Sequence, residues 1–135
     1  MALVTWSPTL YVNVKQFDDQ HMQLVKMINE LHDAVKTGRG NEALGTTLNG
    51  LISYTCTHFS DEESLMISHD YPDAAAHEAE HAHLVKIVSE LQLKFDSGHA
   101  ILTFDVLMFL RDWLMGHILV VDKKFGVYLN GIGVS

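Results

Sequence analysis

The chain has 135 residues, 47% of them hydrophobic and 19% charged, with a formal net charge of −8. That length fits one domain with a real core. The acidity, with no Lys/Arg cluster and no basic amphipathic stretch, excludes nucleic acid and an anionic membrane surface as partners. No apolar run approaches the roughly 20 residues needed to span a bilayer. The opening MALVTWSPTL lacks the basic and apolar regions of a secretory signal, and the single cysteine, Cys56, fits a reducing compartment. The sequence therefore predicts a cytoplasmic protein without an intramolecular disulfide.

Residues 1 to 17 carry Trp6, Pro8, Tyr11 and Phe17 without a helical period, and are expected to form an ordered N-terminal arm laying aromatics on the core. From Asp18 and Asp19, either of which can N-cap, His21, Leu24, Val25, Ile28, Leu31 and Val35 follow helical steps, predicting a helix over 19–37 stopped by Gly38 and Gly40. Asn41 can cap a second helix over 41–68. Its inner line runs Leu44, Leu48, Leu51, Thr55, His58, Glu62, Leu65, and Gly45 and Gly50 weaken its early turns by about 1 kcal/mol each relative to alanine. Pro72 ends that helix and can start a third over 73–96, with His77, His81, Leu84, Val88, Leu91 and Phe95 inside and Ser97-Gly98 closing it. Thr103 can cap a fourth over 103–129, whose inner face holds Leu107, Leu110, Leu114, His117, Val121 and Phe125, ended by Asn130-Gly131. With no strand signals, repeats or linkers, residues 1–135 read as one all-α domain, an up-down-up-down four-helix bundle.

Nine histidines are the compositional anomaly. His32, His69, His83 and His99 fit scattered surface positions. The others coincide with the inner faces: His21 on the first helix, His58 with Glu62 on the second, His77 with His81 on the third, and His117 with Asp122 on the fourth. Residues four apart return to within roughly 40° of each other on a helix, so the pairs 58/62 and 77/81 each point one way. Burying seven such groups unpaired would cost several kcal/mol, and mutual pairing or a metal offsets that. Helix direction alternates, and these residues lie early, late, early and late in their helices, which brings all seven toward one end of the bundle.

Five imidazoles and two carboxylates without a thiolate are too many for one tetrahedral zinc and too nitrogen-rich for calcium or magnesium. They suit iron, manganese or another first-row ion, with carboxylates able to bridge two of them. Two six-coordinate ions held by five histidines, two bridging carboxylates and one bridging oxide or hydroxide leave a single position open for a small molecule. One spacing departs from a regular helix. His117 and Asp122 are five apart, about 140° round an α-helix, which predicts a local π-type widening near residues 117–122.

The ordered set Asp19-Gln20-His21, His58-Phe59-x-x-Glu62-Glu63-x-x-Met66, Tyr71-Pro72, His77-x-x-x-His81 and Trp113-Leu114-x-x-His117-Ile118-x-x-x-Asp122 resembles the hemerythrins, in particular the single-domain bacterial ones, over about residues 4–129. The resemblance implies a non-haem di-iron centre with a bridging oxo or hydroxo group, binding O2 reversibly for storage, delivery or scavenging. It assigns His77, His81 and His117 to one iron and His21 and His58 to the other, with Glu62 and Asp122 bridging. The open position then falls on the iron held by two histidines. Trp113, Leu114 and Ile118 would form an apolar wall for the O2 pocket; for each of them, core packing alone is an equally good account. Phe59 and Met66 read as core, and Glu63 as a surface residue or an outer partner of a ligand. The expected partner is O2 itself, with an oxygen-consuming enzyme as recipient and the chain as a monomer. The competing readings are a di-iron oxidase, peroxidase or nitric-oxide-handling enzyme, or a sensor of O2 or iron. Asp70 stands before Tyr71-Pro72 where glycine is common.

Overall fold

Each of the four apolar periodicities folds as a helix. The structure is a computed structural model that describes residues 3–38, 41–98 and 104–135, and every regular element among them is helical. A 3₁₀ turn at Pro8–Leu10 precedes α1 (Lys15–Lys36), α2 (Asn41–Ser68) and α3 (Ala74–Asp96). The fourth helix has three parts: α4 (Phe104–Gly116), a π-helical turn (His117–Asp122) and α5 (Lys123–Gly131). Helix α1 packs on α2, α2 on α3, and α4 returns to α1, giving the expected four-helix bundle.

The interior holds two apolar clusters. The larger is built from Leu24, Ile28 and Leu31 of α1, Leu48 of α2, Leu84 of α3 and Leu107 of α4, with their neighbours. The smaller joins Leu10, Val12 and Val14 of the arm to Phe17, Met66, Tyr71, Ile118, Phe125 and Leu129. Along each helix the ligand-type residues lie between the two: His21 separates Phe17 from Leu24, and His117 with Asp122 separates Leu110 from Phe125. The polar layer thus lies toward one end of the bundle, and the N-terminal arm closes that end over it. The arm packs on the core, but mainly through Val4, Leu10, Val12 and Val14. Of the aromatics expected to do so, Trp6 packs half-buried, Tyr11 meets it edge to face but is exposed, and Phe17 already belongs to α1. Val4 pairs its N–H and C=O with the Asn29 side chain, both at 2.9 Å.

Three boundaries differ from the sequence expectation. Helix α1 begins at Lys15, four residues early, behind Val14, which makes no side-chain cap. Asp18 is not a cap. It is buried in the first turn and its Oδ1 accepts the Val12 N–H at 2.7 Å, tying arm to helix. A carboxylate is favoured in a first turn by the helix dipole, and here it reaches backward to the chain rather than forward to the helix amides. Helix α3 starts at Ala74, just after Pro72 and Asp73. At the far end, the left-handed residue is Gly133 rather than Gly131, with Val134 N–H on Leu129 C=O at 2.9 Å. Thr103, Gly40 and His99 lie outside the described residues, and the Asn41 side chain is likewise not described.

Helix α2 ends in a Schellman motif: Tyr71 N–H bonds Met66 C=O at 3.0 Å, Asp70 N–H bonds Ile67 C=O at 3.4 Å, and Asp70 takes the left-handed conformation, φ 53°. Tyr71 packs in the same apolar cluster as Met66, the hydrophobic contact that accompanies this motif.

Candidate metal centre

All seven sequence-predicted ligands meet in one layer, each at most 3% exposed. On α1, α2 and α3 they hold the apolar stripe's positions, so the packing that buries Leu24, Phe59 and Leu84 also buries His21, His58, Glu62, His77 and His81. On the fourth helix the π turn spans His117 to Asp122, as their five-residue spacing predicts. Its i to i−5 closure places both side chains inward while Leu119 and Val120 face solvent.

The ligand atoms form two overlapping groups: His77, His81 and His117 with Glu62 and Asp122, and His21 and His58 with the same two carboxylates, all atoms of a group within 4.8 Å of one another. Asp122 divides its oxygens between the groups. Oδ1 lies 3.0 Å from both His77 Nε2 and His117 Nε2, and Oδ2 lies 3.0 Å from His21 Nε2. Glu62 Oε1 lies between them, 3.2 Å from His58 Nε2 and 3.3 Å from His81 Nε2. The nitrogens approach one another as closely, His21 to His58 at 3.2 Å and His81 to His117 at 3.0 Å.

These residues fit metal ions. Both oxygens of Glu62 and of Asp122, and Nε2 of His77, are buried without an aligned hydrogen-bond partner despite their close neighbours. They converge on shared space instead of on each other. Ligand atoms on bonds of about 2.1 Å sit about 3.0 Å apart round an octahedral ion and about 3.4 Å round a tetrahedral one, the spacing seen here. Charge agrees. Burial, then the neighbouring His21, pushes His58 down to about 3, and burial, then His117 and His77, pushes His81 down to about 2, so both rings are neutral, with lone pairs free, at neutral pH. Burial and then Asp122 hold the Glu62 carboxyl well above its usual range. Burial pushes Asp122 up as well, but His117, followed by the contacts to His21 and His77, outweighs it and holds that carboxyl well below the usual range. One shared carboxylate is thus ionised and ready for a cation.

Two aromatic side chains cover the rings. Phe59 stacks on His81 at 3.8 Å and 4°, and Trp113 on His117 at 4.5 Å and 13°. Both also line an apolar cavity of about 40 Å³ within the bundle, together with Leu24, Thr55, Leu110 and Leu114 among others. Of the three predicted wall residues, Trp113 and Leu114 line this cavity; Ile118, fully buried, belongs to the smaller cluster instead. Phe59 and Met66 are core, as read from the sequence. Glu63 stands 3.5 Å from His81 Nδ1, an outer partner of that ring. Glu80, 3.9 Å from His117 Nδ1, and the pair Gln20 and Asp61 beside His58 were given no such role from the sequence, because Glu80 and Gln20 meet the rings from a neighbouring helix and Asp61 acts through Gln20. His69 is half-buried and His83 exposed, as expected of surface positions; His32 is half-buried beside Asp33.

A four-helix bundle whose core carries two histidine groups sharing two carboxylates belongs to the class of helical bundles with a buried cluster able to hold metal ions. Residues 12–129 match the family model for the hemerythrin HHE cation binding domain. The chain belongs to the hemerythrin family. It is 44% identical to a bacteriohemerythrin of Methylococcus capsulatus, covering 96% of this chain and 99% of that one, and 28% identical to a myohemerythrin of Theromyzon tessulatum, covering 89% and 88%. A solved wild-type hemerythrin structure superposes with a TM-score of 0.89 at 44% identity, covering 93% of this chain and 96% of that one.

Proposed function

We propose that residues 1–135 form one oxygen-binding domain that holds two irons and binds O2 reversibly. The observation that carries this reading is that Glu62 and Asp122 each reach both histidine groups. His77, His81 and His117 would hold one iron and His21 and His58 the other, with Glu62 and Asp122 shared. When bound, the iron pair supplies the electrons and the open coordination position for O2.

The chain's own residues set the conditions. Glu62 and Asp122 would offset part of the metal charge and the imidazole nitrogens would replace water as ligands, so the buried layer is tolerable without water. Phe59 and Trp113 shield the inner rings, and the cavity beyond them has room for a small gas molecule, since about 10–15 Å³ already accommodates one water. Its nearly all-apolar lining keeps it dry, and a dry site withholds the protons that would drive oxidation of the centre. We read the protein as a carrier rather than an enzyme, and as a cytoplasmic monomer that passes O2 to an oxygen-consuming enzyme. Among the described residues, no helix is long and apolar enough to cross a membrane.

The test is to reduce the iron-loaded protein without air, admit O2, record the visible spectrum and remove O2 again. A band that appears and disappears over repeated cycles supports carriage. Bleaching with peroxide release or substrate turnover points to an oxidase or peroxidase, and an iron content well below about two per chain would sink the binuclear reading.

A further inference from the structure

The five rings are not held alike. Four of them, His21, His77, His81 and His117, have an outer Nδ1 that makes no hydrogen bond. Two of those, His81 and His117, have a carboxylate at 3.5 and 3.9 Å. Of these five rings, His58 alone has Nδ1 hydrogen-bonded, 2.5 Å from Gln20 Oε1, and Gln20 Nε2 in turn donates to Asp61 Oδ2 at 2.7 Å.

Donor and acceptor chemistry fixes every link of this chain. An ionised carboxylate can only accept, so Asp61 forces the Gln20 amide to turn its NH₂ group outward. The amide oxygen then faces His58, and an amide oxygen can only accept, so His58 must carry its proton on Nδ1. That leaves the Nε2 lone pair pointing into the centre, beside Glu62 and His21. We propose that Gln20 and Asp61 are positioning residues that lock His58 in its metal-binding tautomer from outside the ligand set. This rests on the reading of His58 as a ligand.

The relay is also electrically particular. Gln20 is neutral, so it orients the ring without placing a negative charge on its outer nitrogen, which a carboxylate at that position would do. The half-buried Asp61, one residue away from direct contact, supplies direction and keeps its charge two bonds of the network from the ring. By contrast, the carboxylates of Glu63 and Glu80 stand 3.5 and 3.9 Å from the outer nitrogens of His81 and His117, with no amide between. His58 thus has an amide hydrogen-bonded behind it, whereas His81 and His117 have carboxylates nearby without a hydrogen bond.

The test needs no activity. In the metal-free wild-type chain labelled with ¹⁵N-histidine, nuclear magnetic resonance should show His58 as a single tautomer protonated at Nδ1. Gln20→Ala and Asp61→Ala should each turn that signal into a tautomer mixture, whereas Asp61→Asn, whose side-chain oxygen still accepts, should preserve it. With cobalt(II) as the probe, Gln20→Ala and Asp61→Ala should bind about 10- to 100-fold more weakly than wild type. Should the variants not fold, the wild-type spectrum alone decides, because an Nε2-protonated His58 overturns the proposal. An unchanged affinity and tautomer in Gln20→Ala overturns it too, as does a silent Asp61→Ala beside a responsive Gln20→Ala. Failure of the wild type itself to take up cobalt would instead count against the metal reading, leaving the tautomer result to stand on its own.

Discussion

Gly126 of α5 tests how the N-terminal arm is held over the metal layer. A Cβ built there would lie 2.3 Å from the Val12 carbonyl oxygen and 3.2 Å from Val12 C and Cβ. The obstacle is backbone, so it cannot swing aside, and the arm must retreat by roughly 1 Å to restore ordinary contact. Alanine favours the helix by about 1 kcal/mol. Against that, the retreat pulls on the Val12 N–H bond to buried Asp18, whose loss costs about 1–3 kcal/mol, and it loosens Leu10, Val12 and Val14 from their cluster, with about 1.5–3 kcal/mol for each side chain fully exposed. Gly126→Ala is therefore expected to destabilise the metal-free chain by about 2–4 kcal/mol, measured from urea unfolding midpoints. Combining it with Asp18→Ala, which removes the acceptor, should cost less than the sum of the two, since both act on one hydrogen bond. A Gly126→Ala chain as stable as wild type, or additivity in the double variant, would refute the account of the arm.

Other outcomes follow from the same geometry. Asp70→Gly removes the cost of a left-handed residue at the Schellman turn and should raise stability by about 0.5–1 kcal/mol, seen as a higher melting temperature with metal content unchanged. For pH, His58 and His81 are neutral when folded and protonated when unfolded below about 6.5, whereas Glu62 is protonated when folded and ionised when unfolded above about 4.5. Two groups thus favour proton uptake on unfolding and one opposes it, so metal-free stability should fall as the pH is lowered, and denaturant midpoints unchanged between neutral pH and about pH 5 would contradict it. His21→Ala removes a ligand from one group only. It should leave about one metal per chain by elemental analysis, while Asp122→Asn, shared by both groups, should weaken both.

The four helices and all seven candidate ligands were legible because burial imposes a period, and polar residues that keep that period must have a reason to be inside. The π turn was legible for the opposite reason: His117 and Asp122 break the period, and only a wider helix lets both face inward. Less visible were contacts whose partners lie on different segments. Asp18 resembles a cap in sequence, yet its oxygen serves the Val12 amide, a backbone group that carries no residue signature. Gln20 and Asp61 sit 41 positions apart, and their link to His58 depends on how α1 and α2 lie side by side. Ile118 shows the same dependence: its neighbour His117 is evident in the sequence, whereas its packing with Phe125 and the arm depends on the fold.

The polar layer also divides the molecule mechanically. It lies between two apolar clusters that, among the described residues, share only the half-buried Trp6, Leu114 and Met115, so without cations the bundle has, toward its arm end, a seam of buried carboxylate oxygens with no aligned partner. Each half can then open with its own free energy, the arm end with less buried surface and hence at lower cost. Ions bridging Glu62 and Asp122 to all the surrounding helices would fuse the halves into one cooperative unit. Amide hydrogen exchange should reveal this as two protection levels, one on either side of the seam, that merge when metal is added.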